Sequence, residues 1–145
     1  MSTERATLDD LLQALLDAIA FFGDAADHSR NPAHAQLFRD LRMNKQKIAD
    51  DLRAAAPIGS SPPQRSSVAA GLLAGWTDLR ARLADDPDAP YARALEAQED
   101  RLLSTFHDAV NHGPPGPVRD IARSYLPQVQ RMHDLLKALK DQYDH

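Results

Sequence analysis

Cysteine is absent from the 145-residue sequence, and its absence excludes several kinds of chemistry at once. A chain without thiols has no disulfides, no thiolate metal ligands, no iron–sulfur clusters and no cysteine nucleophile. Any metal ion must therefore be bound by histidine and carboxylate side chains.

Long hydrophobic runs are also lacking. The apolar stretches are interrupted by Asp and Gln before they reach the roughly 18 residues that a membrane-spanning helix requires. The first residues include Glu4 and Arg5 and lead directly into an amphipathic pattern, without the basic and apolar regions of a signal peptide. We therefore expect a cytoplasmic protein that does not associate with membranes.

Charge of one sign is not concentrated in any part of the sequence. The formal net charge is −4, and Arg and Lys are interleaved with acidic residues rather than gathered into a basic stripe. Recognition of a phosphate backbone depends on clustered cationic side chains. Nucleic acid is therefore not an expected partner.

The β-branched residues are scarce, whereas Ala supplies much of the 43% hydrophobic content. Both features favour helix over strand. The length is that of one domain able to bury about two-thirds of its unfolded surface. The composition therefore predicts a single all-α domain over residues 1–145.

Four long segments repeat apolar residues at alternating intervals of three and four, the pattern of bundle helices. The first is expected over residues 7–29, opened by a weak capping box at Thr7, and the second begins at the Asn31–Pro32 cap. The third starts near residues 88–90 and ends at about Asn111, and the fourth covers residues 117–143. The tight turn before Pro32 predicts that the first two helices are antiparallel.

The second and third long helices are separated by a long crossover. Its first part, residues 57–65, is rich in Pro, Gly and Ser, which predicts a loop. Residues 67–83 then carry an apolar face that predicts a short extra helix, with Trp76 covered by the long helices. One long crossover among four helices is ferritin-like connectivity, so the predicted fold is a ferritin-like four-helix bundle.

Several segments resemble a family of bacterial ferritin-like four-helix-bundle proteins of unknown function. The most specific is the Trp76-containing stretch over residues 71–79, and the others are residues 22–27, residues 96–100 and the pair His133–Asp134. The resemblance covers most of the chain. It implies a bundle distantly related to carboxylate-bridged di-iron proteins, without implying an established reaction.

The sequence departs from the ligand pattern of that wider class, in which two helices each give one Glu and two others each give Glu-x-x-His. The residue three positions before His133 is Gln130, and no Glu-x-x-His motif occurs elsewhere. The central inward position of the first helix is assigned to Ile19. These departures predict that the metal centre is degenerate.

Lys45 and Glu99 interrupt the apolar series of the second and third helices near their midpoints. A charge is costliest at such positions. If the crossover makes these helices parallel, the two side chains lie at similar heights and can form a charge pair across the core. The alternative is that one or both lie at the edge of the series and reach water.

The favoured function is therefore a structural or interaction role, with a polar core in place of the metal centre, no cofactor and no catalytic residues. The alternative is a di-iron-like storage or oxidase protein that binds iron or manganese. Its candidate ligands are Glu96, Glu99 and His133, with Asp27 or Asp51 contributing. A structural, hydrogen-bonded role for His133 is the simpler interpretation of a single histidine beside a core.

A homodimer is expected because the first helix carries apolar residues outside its principal series. These are Leu11, Leu16 and Phe21, more than one bundle core needs. A second protein partner is also compatible with this pattern.

Overall fold

In a computed structural model of the protein, residues 3–57 and 88–143 are described. They form four helices, α1 (Glu4–His28), α2 (Pro32–Ala54), α3 (Asp88–His112) and α4 (Pro117–Tyr143). Within these ranges helix is the only regular secondary structure. The predicted all-α four-helix bundle is confirmed, whereas the predicted short helix and Trp76 lie outside the described residues.

The start of α1 differs from the prediction. The N-cap is Thr3, whose side-chain oxygen accepts a hydrogen bond from the Ala6 amide at 3.0 Å. Thr7 is 7% exposed and lies inside the helix, so it does not form the predicted capping box. Thr3 satisfies a free amide one turn earlier, which allows the helix to begin at Glu4.

The other helix starts follow local signals. Asn31 caps α2, with its Oδ1 accepting from the amide of Ala33 at 2.9 Å, and Pro32 occupies the first turn. Gly116 precedes α4 with a φ of +154°, a backbone conformation that residues with a Cβ rarely adopt. Both short connections bring consecutive helices together as antiparallel pairs.

Contacts at matching heights define the direction of every helix. Asp17 meets Arg101 and Asp24 meets Tyr91, so α1 and α3 run in opposite directions. Because α1 and α2 are antiparallel, α2 is parallel to α3, and the order is up, down, down, up. α1 lies against both α2 and α3, α3 lies against α4, and α2 and α3 are diagonally opposite.

The buried face of α1 is broader than the predicted apolar series, because this helix contacts two neighbours extensively. Leu11 is 0% exposed and Phe21 is 4% exposed, so both belong to the core of a single chain. Only Leu16 of the three residues that motivated a homodimer is partly accessible. A homodimer stays a prediction, without most of the apolar surface from which it was inferred.

Ile19 does not occupy the central inward position of α1 that the sequence pattern predicts for it. It is half-buried and lines a surface groove between α1 and α2 together with Leu16. Ala18 and Asp17 are instead fully buried near the middle of α1. The central inward part of α1 therefore carries a carboxylate, which the sequence interpretation missed.

None of the four described helices has an apolar stretch sufficient to cross a membrane.

Candidate functional site

The core consists of two apolar clusters stacked along the bundle axis, with charged side chains between them. One cluster joins the first half of α1 to the ends of α2 and α3 and the start of α4, and the other joins the opposite ends of the same helices. Asp17, Lys45 and Glu99 lie between the clusters, and each is 0% exposed. We call these three residues the polar layer.

Lys45 and Glu99 form a fully buried ion pair across the diagonal of the bundle. The Nζ of Lys45 lies 2.9 Å from Oε1 of Glu99. The ammonium also lies 2.9 Å from the sulfur of Met132 and 6.0 Å from the centre of the Phe22 ring. Neither carboxylate oxygen of Glu99 has a hydrogen-bond partner within residues 3–57 and 88–143. The carboxylate is therefore held mainly by charge.

Burial disfavours the charged form of both partners. Loss of hydration lowers the pKa of Lys45, and the negative charge of Glu99 opposes that change. Loss of hydration likewise raises the pKa of Glu99, opposed first by Lys45 and then by the charge of His133. Each ion is thus stabilised by the other against a large desolvation cost.

Asp17 is the second buried carboxylate of the polar layer. Its Oδ2 accepts a hydrogen bond from Nη1 of Arg101 at 2.7 Å, and its Oδ1 accepts one from Nε2 of Gln13 at 3.3 Å. The Arg101 side chain is 48% exposed, so this pair reaches the surface between α1 and α3. In the sequence, Leu11 and Phe21 outside the principal apolar series were a signal that the buried face of α1 is broad enough to include Asp17.

A second group of charged residues lies on the side of the bundle where α3 meets α4. The ligand atoms of Glu96, Asp100 and His133 all lie within 4.8 Å of one another. Nε2 of His133 contacts Oδ1 of Asp100 and lies 4.0 Å from Oε1 of Glu96. We call these three residues the α3–α4 cluster.

The ring of His133 is oriented by a chain of polar contacts within α4. Its Nδ1 lies 3.2 Å from Oδ1 of Asp134, and the same oxygen accepts a hydrogen bond from Nε2 of Gln130 at 3.0 Å. Burial lowers the pKa of His133, but the contacts with Asp134 and Asp100 outweigh it and the pKa is raised. Gln130 therefore supports the histidine indirectly, through the Asp134 carboxylate.

The structure separates the remaining sequence candidates from this region. Asp27 is exposed in the last turn of α1, and Asp51 is exposed on α2, where it accepts a hydrogen bond from the Tyr125 hydroxyl. That hydrogen bond, together with burial and the Asp51 charge, raises the pKa of Tyr125 to about 12. Of the five metal-ligand candidates, only Glu96 and His133 meet in the α3–α4 cluster, while Glu99 is paired with Lys45.

An open polar groove of about 600 Å³ lies between α1 and α3. Arg101 lines it from one side, and Asp10 and Asp108 contribute carboxylates. The groove contains neither the buried ion pair nor the α3–α4 cluster.

Residues 4–112 match a family whose description is domain of unknown function (DUF2383). The chain belongs to this family. The DUF2383 match includes the whole polar layer together with Glu96 and Asp100, and it ends at the last residue of α3. Met132 and His133 are therefore supplied by a helix outside the matched residues. No curated protein and no solved structure matches the chain.

Proposed function

We propose that this protein is a ferritin-like helical bundle of structural or interaction role, in which a polar core has replaced a metal centre. The up-down-down-up order with one long connection supports the ferritin-like affiliation. The position of the polar layer supports the replacement, because bundle metal sites are built from inward side chains of facing helices.

The residues at the level of the polar layer correspond only in part to the ligand pattern of di-iron bundles. That pattern needs one carboxylate from each of two helices, and α1 and α3 supply buried carboxylates in Asp17 and Glu99. The other two helices would each supply Glu-x-x-His. At the same level α2 carries Lys45, and α4 carries Gln130 before His133. Two carboxylate positions therefore persist while both Glu-x-x-His positions are altered.

The close, fully buried contact between Lys45 and Glu99 is the observation that carries the proposal. An ammonium ion repels a metal cation strongly in a medium of low dielectric constant. The same contact links α2 to α3, two diagonal helices that otherwise meet little. A buried ion pair that fixes the register of helices is a recognised structural use of buried charge.

Iron loading tests this proposal against the alternative of a storage or oxidase protein. The purified 145-residue chain is given Fe²⁺ under nitrogen, exposed to air, and followed by ultraviolet absorbance and by metal analysis after gel filtration. We expect no catalysed iron oxidation and no iron that depends on Glu99. Stoichiometric iron or manganese that is lost in Glu99→Ala and retained in Asp100→Asn would contradict the proposal.

A variant that removes the buried cation makes the same test more demanding. Lys45→Gln replaces the ammonium with a neutral polar group, and Lys47→Gln on the exposed face of α2 is the matched control. If the ammonium is what excludes metal from the core, Lys45→Gln binds iron more tightly than the parent protein and Lys47→Gln does not. Equal binding by all three proteins argues against this role for Lys45.

A further inference from the structure

The α3–α4 cluster presents three potential ligand atoms to one point in front of His133. They come from two helices, with Glu96 and Asp100 one turn apart on α3 and His133 on α4. Glu96 and His133 are each 13% exposed, and Asp100 is 57% exposed. The cluster is therefore anchored in the bundle and open to solvent on one side.

We propose that Glu96, Asp100 and His133 form a mononuclear site for a divalent transition-metal ion of the zinc type. The site is off the bundle axis and uses Asp100, which faces away from the Lys45–Glu99 pair. It is separate from the structural role proposed above and does not depend on it.

The distances fit an ion after small side-chain movements. Zinc binds His nitrogen and carboxylate oxygen at about 2.0–2.2 Å, so neighbouring ligand atoms of a tetrahedral site are about 3.4 Å apart. The Glu96 Oε1 to His133 Nε2 distance is 4.0 Å and must shorten by roughly half an ångström. The Asp100 oxygen, which contacts Nε2 directly, must move outward. Its exposed side chain is free to do so.

The histidine is already held in the orientation that a metal ligand requires. Metal-binding histidines usually donate their other ring N–H to a carboxylate, which fixes the tautomer and makes the ligand nitrogen more basic. Nδ1 of His133 lies 3.2 Å from Asp134, and Gln130 fixes that carboxylate in turn. When Nδ1 carries the proton, the lone pair of Nε2 points toward Asp100 and Glu96.

The surrounding charge is also suited to a cation. Glu96, Asp100 and Asp134 are near His133. Glu99 also interacts electrostatically with His133, but its charge is offset by Lys45. Opposing cations in the described part of the chain include Lys140, 4.0 Å from Glu96, and Lys137, which acts on Asp134. A divalent ion replaces the proton on His133 and balances more of this negative charge.

The ligand set selects among metals. One imidazole with carboxylates suits zinc and its transition-metal neighbours, whereas magnesium and calcium prefer oxygen ligands alone. Three protein ligands leave a fourth position for water, the coordination of an accessible zinc site.

Zinc titration of the 145-residue chain by calorimetry at pH 7.5 tests the site. We expect one Zn²⁺ per chain with a dissociation constant in the micromolar range or below, and no saturable binding of Mg²⁺ or Ca²⁺. Binding weakens at least tenfold at pH 5.5, because protons compete for His133. Zinc also raises the thermal unfolding midpoint, because it binds only the folded chain.

Variants assign the binding to these residues. His133→Asn and Asp100→Asn should each weaken binding at least tenfold, and Asp134→Asn about tenfold through loss of the orienting contact. His28→Asn is the matched control, because His28 is exposed and lies 3.1 Å from a single carboxylate, Asp24. Its affinity for zinc should equal that of the parent. Circular dichroism verifies that each variant is folded.

Two results would overturn the proposal. One is the absence of saturable zinc binding below 1 mM, and the other is binding that survives His133→Asn and Asp100→Asn unchanged. Neither result concerns the polar core, because Lys45 and Glu99 are intact in all of these proteins.

Discussion

Glu99 and Asp17 are buried carboxylates at the same level of one bundle, but their cations have different access to water. Glu99 is paired with Lys45, which is 0% exposed, whereas Asp17 is paired with Arg101, whose side chain is 48% exposed. Removing Lys45 leaves a charge enclosed by the core. Removing Asp17 leaves an arginine that already reaches solvent. The cost of removing one member of a buried pair therefore depends on whether water can hydrate the charge that is left.

Lys45→Met is expected to have the largest effect on stability. It leaves Glu99 buried and without its cation, and such a change typically costs about 3–5 kcal/mol of unfolding free energy. Urea denaturation of the parent and the variant measures the difference. A loss below 1 kcal/mol would mean that Glu99 is effectively hydrated.

The penalty in Lys45→Met should shrink in acid. Without the cation, burial holds the pKa of Glu99 in the folded chain further above its value in the unfolded chain. The variant therefore keeps its stability below the unfolded pKa, where the carboxyl is neutral, and loses stability as the pH rises through the folded pKa. The variant should therefore approach the parent near pH 4 and differ most near pH 7. Denaturation at both pH values checks the sign.

Arg101→Met should have an intermediate effect, about 1–3 kcal/mol. Asp17 loses its cation but keeps the hydrogen bond from Gln13, and the space beside it opens toward solvent. Asp17→Asn should cost less than Arg101→Met, since the remaining arginine is already partly hydrated. The reverse order, measured by the same denaturation assay, would contradict the difference drawn between the two pairs.

Tyr125 and Asp51 provide a pair near the surface for comparison. The pKa of Tyr125 is about 12, so its phenol should ionise roughly two pH units above an ordinary tyrosine. Stability from this contact is present below pH 10 and is lost as the pH rises toward 12. Ultraviolet titration should show the shift in the parent and its loss in Asp51→Asn, with Tyr91→Phe removing a separate tyrosine signal.

His133 should show the smallest effect on stability. Its pKa is raised by contacts of the protonated ring with Asp134 and Asp100. These contacts stabilise the folded chain fully below the unfolded pKa near 6.5, and that stabilisation is lost as the pH rises through the folded pKa. Proton NMR of the ring should give a metal-free pKa above 6.5 that falls in Asp134→Asn and in Asp100→Asn. An unchanged pKa in both variants would show that these carboxylates do not act on His133.

Much of the fold was predictable because the four helices carry strong periodicity and clear boundary signals. Asn31 caps α2 as its residue type predicts, and Lys45 and Glu99 interrupt their apolar series at positions that are buried. The burial of Asp17 was not predictable from one apolar series. It depends on α1 contacting two neighbours, and that arrangement follows from tertiary packing.

The composition of the α3–α4 cluster was also only partly predictable from the sequence. The sequence identified Glu96 and His133 but grouped them with Glu99, because residues 96 and 99 lie on overlapping faces of one helix. Rotation of α3 in the bundle turns Glu99 toward Lys45 and leaves Asp100 beside His133. Periodicity identifies a face, whereas the partner of each residue on it depends on the neighbouring helix.

A double-mutant cycle on Lys45 and Glu99 is the most direct test of the polar core. Lys45→Met, Glu99→Leu and the double variant are compared with the parent by urea denaturation at pH 7, which isolates the coupling between the two side chains. Each single variant should lose about 3–5 kcal/mol, and the double variant should recover most of that loss because a buried pair can be replaced by apolar residues of similar volume. Additive losses, with no recovery in the double variant, would contradict the account of a mutually stabilised charge pair.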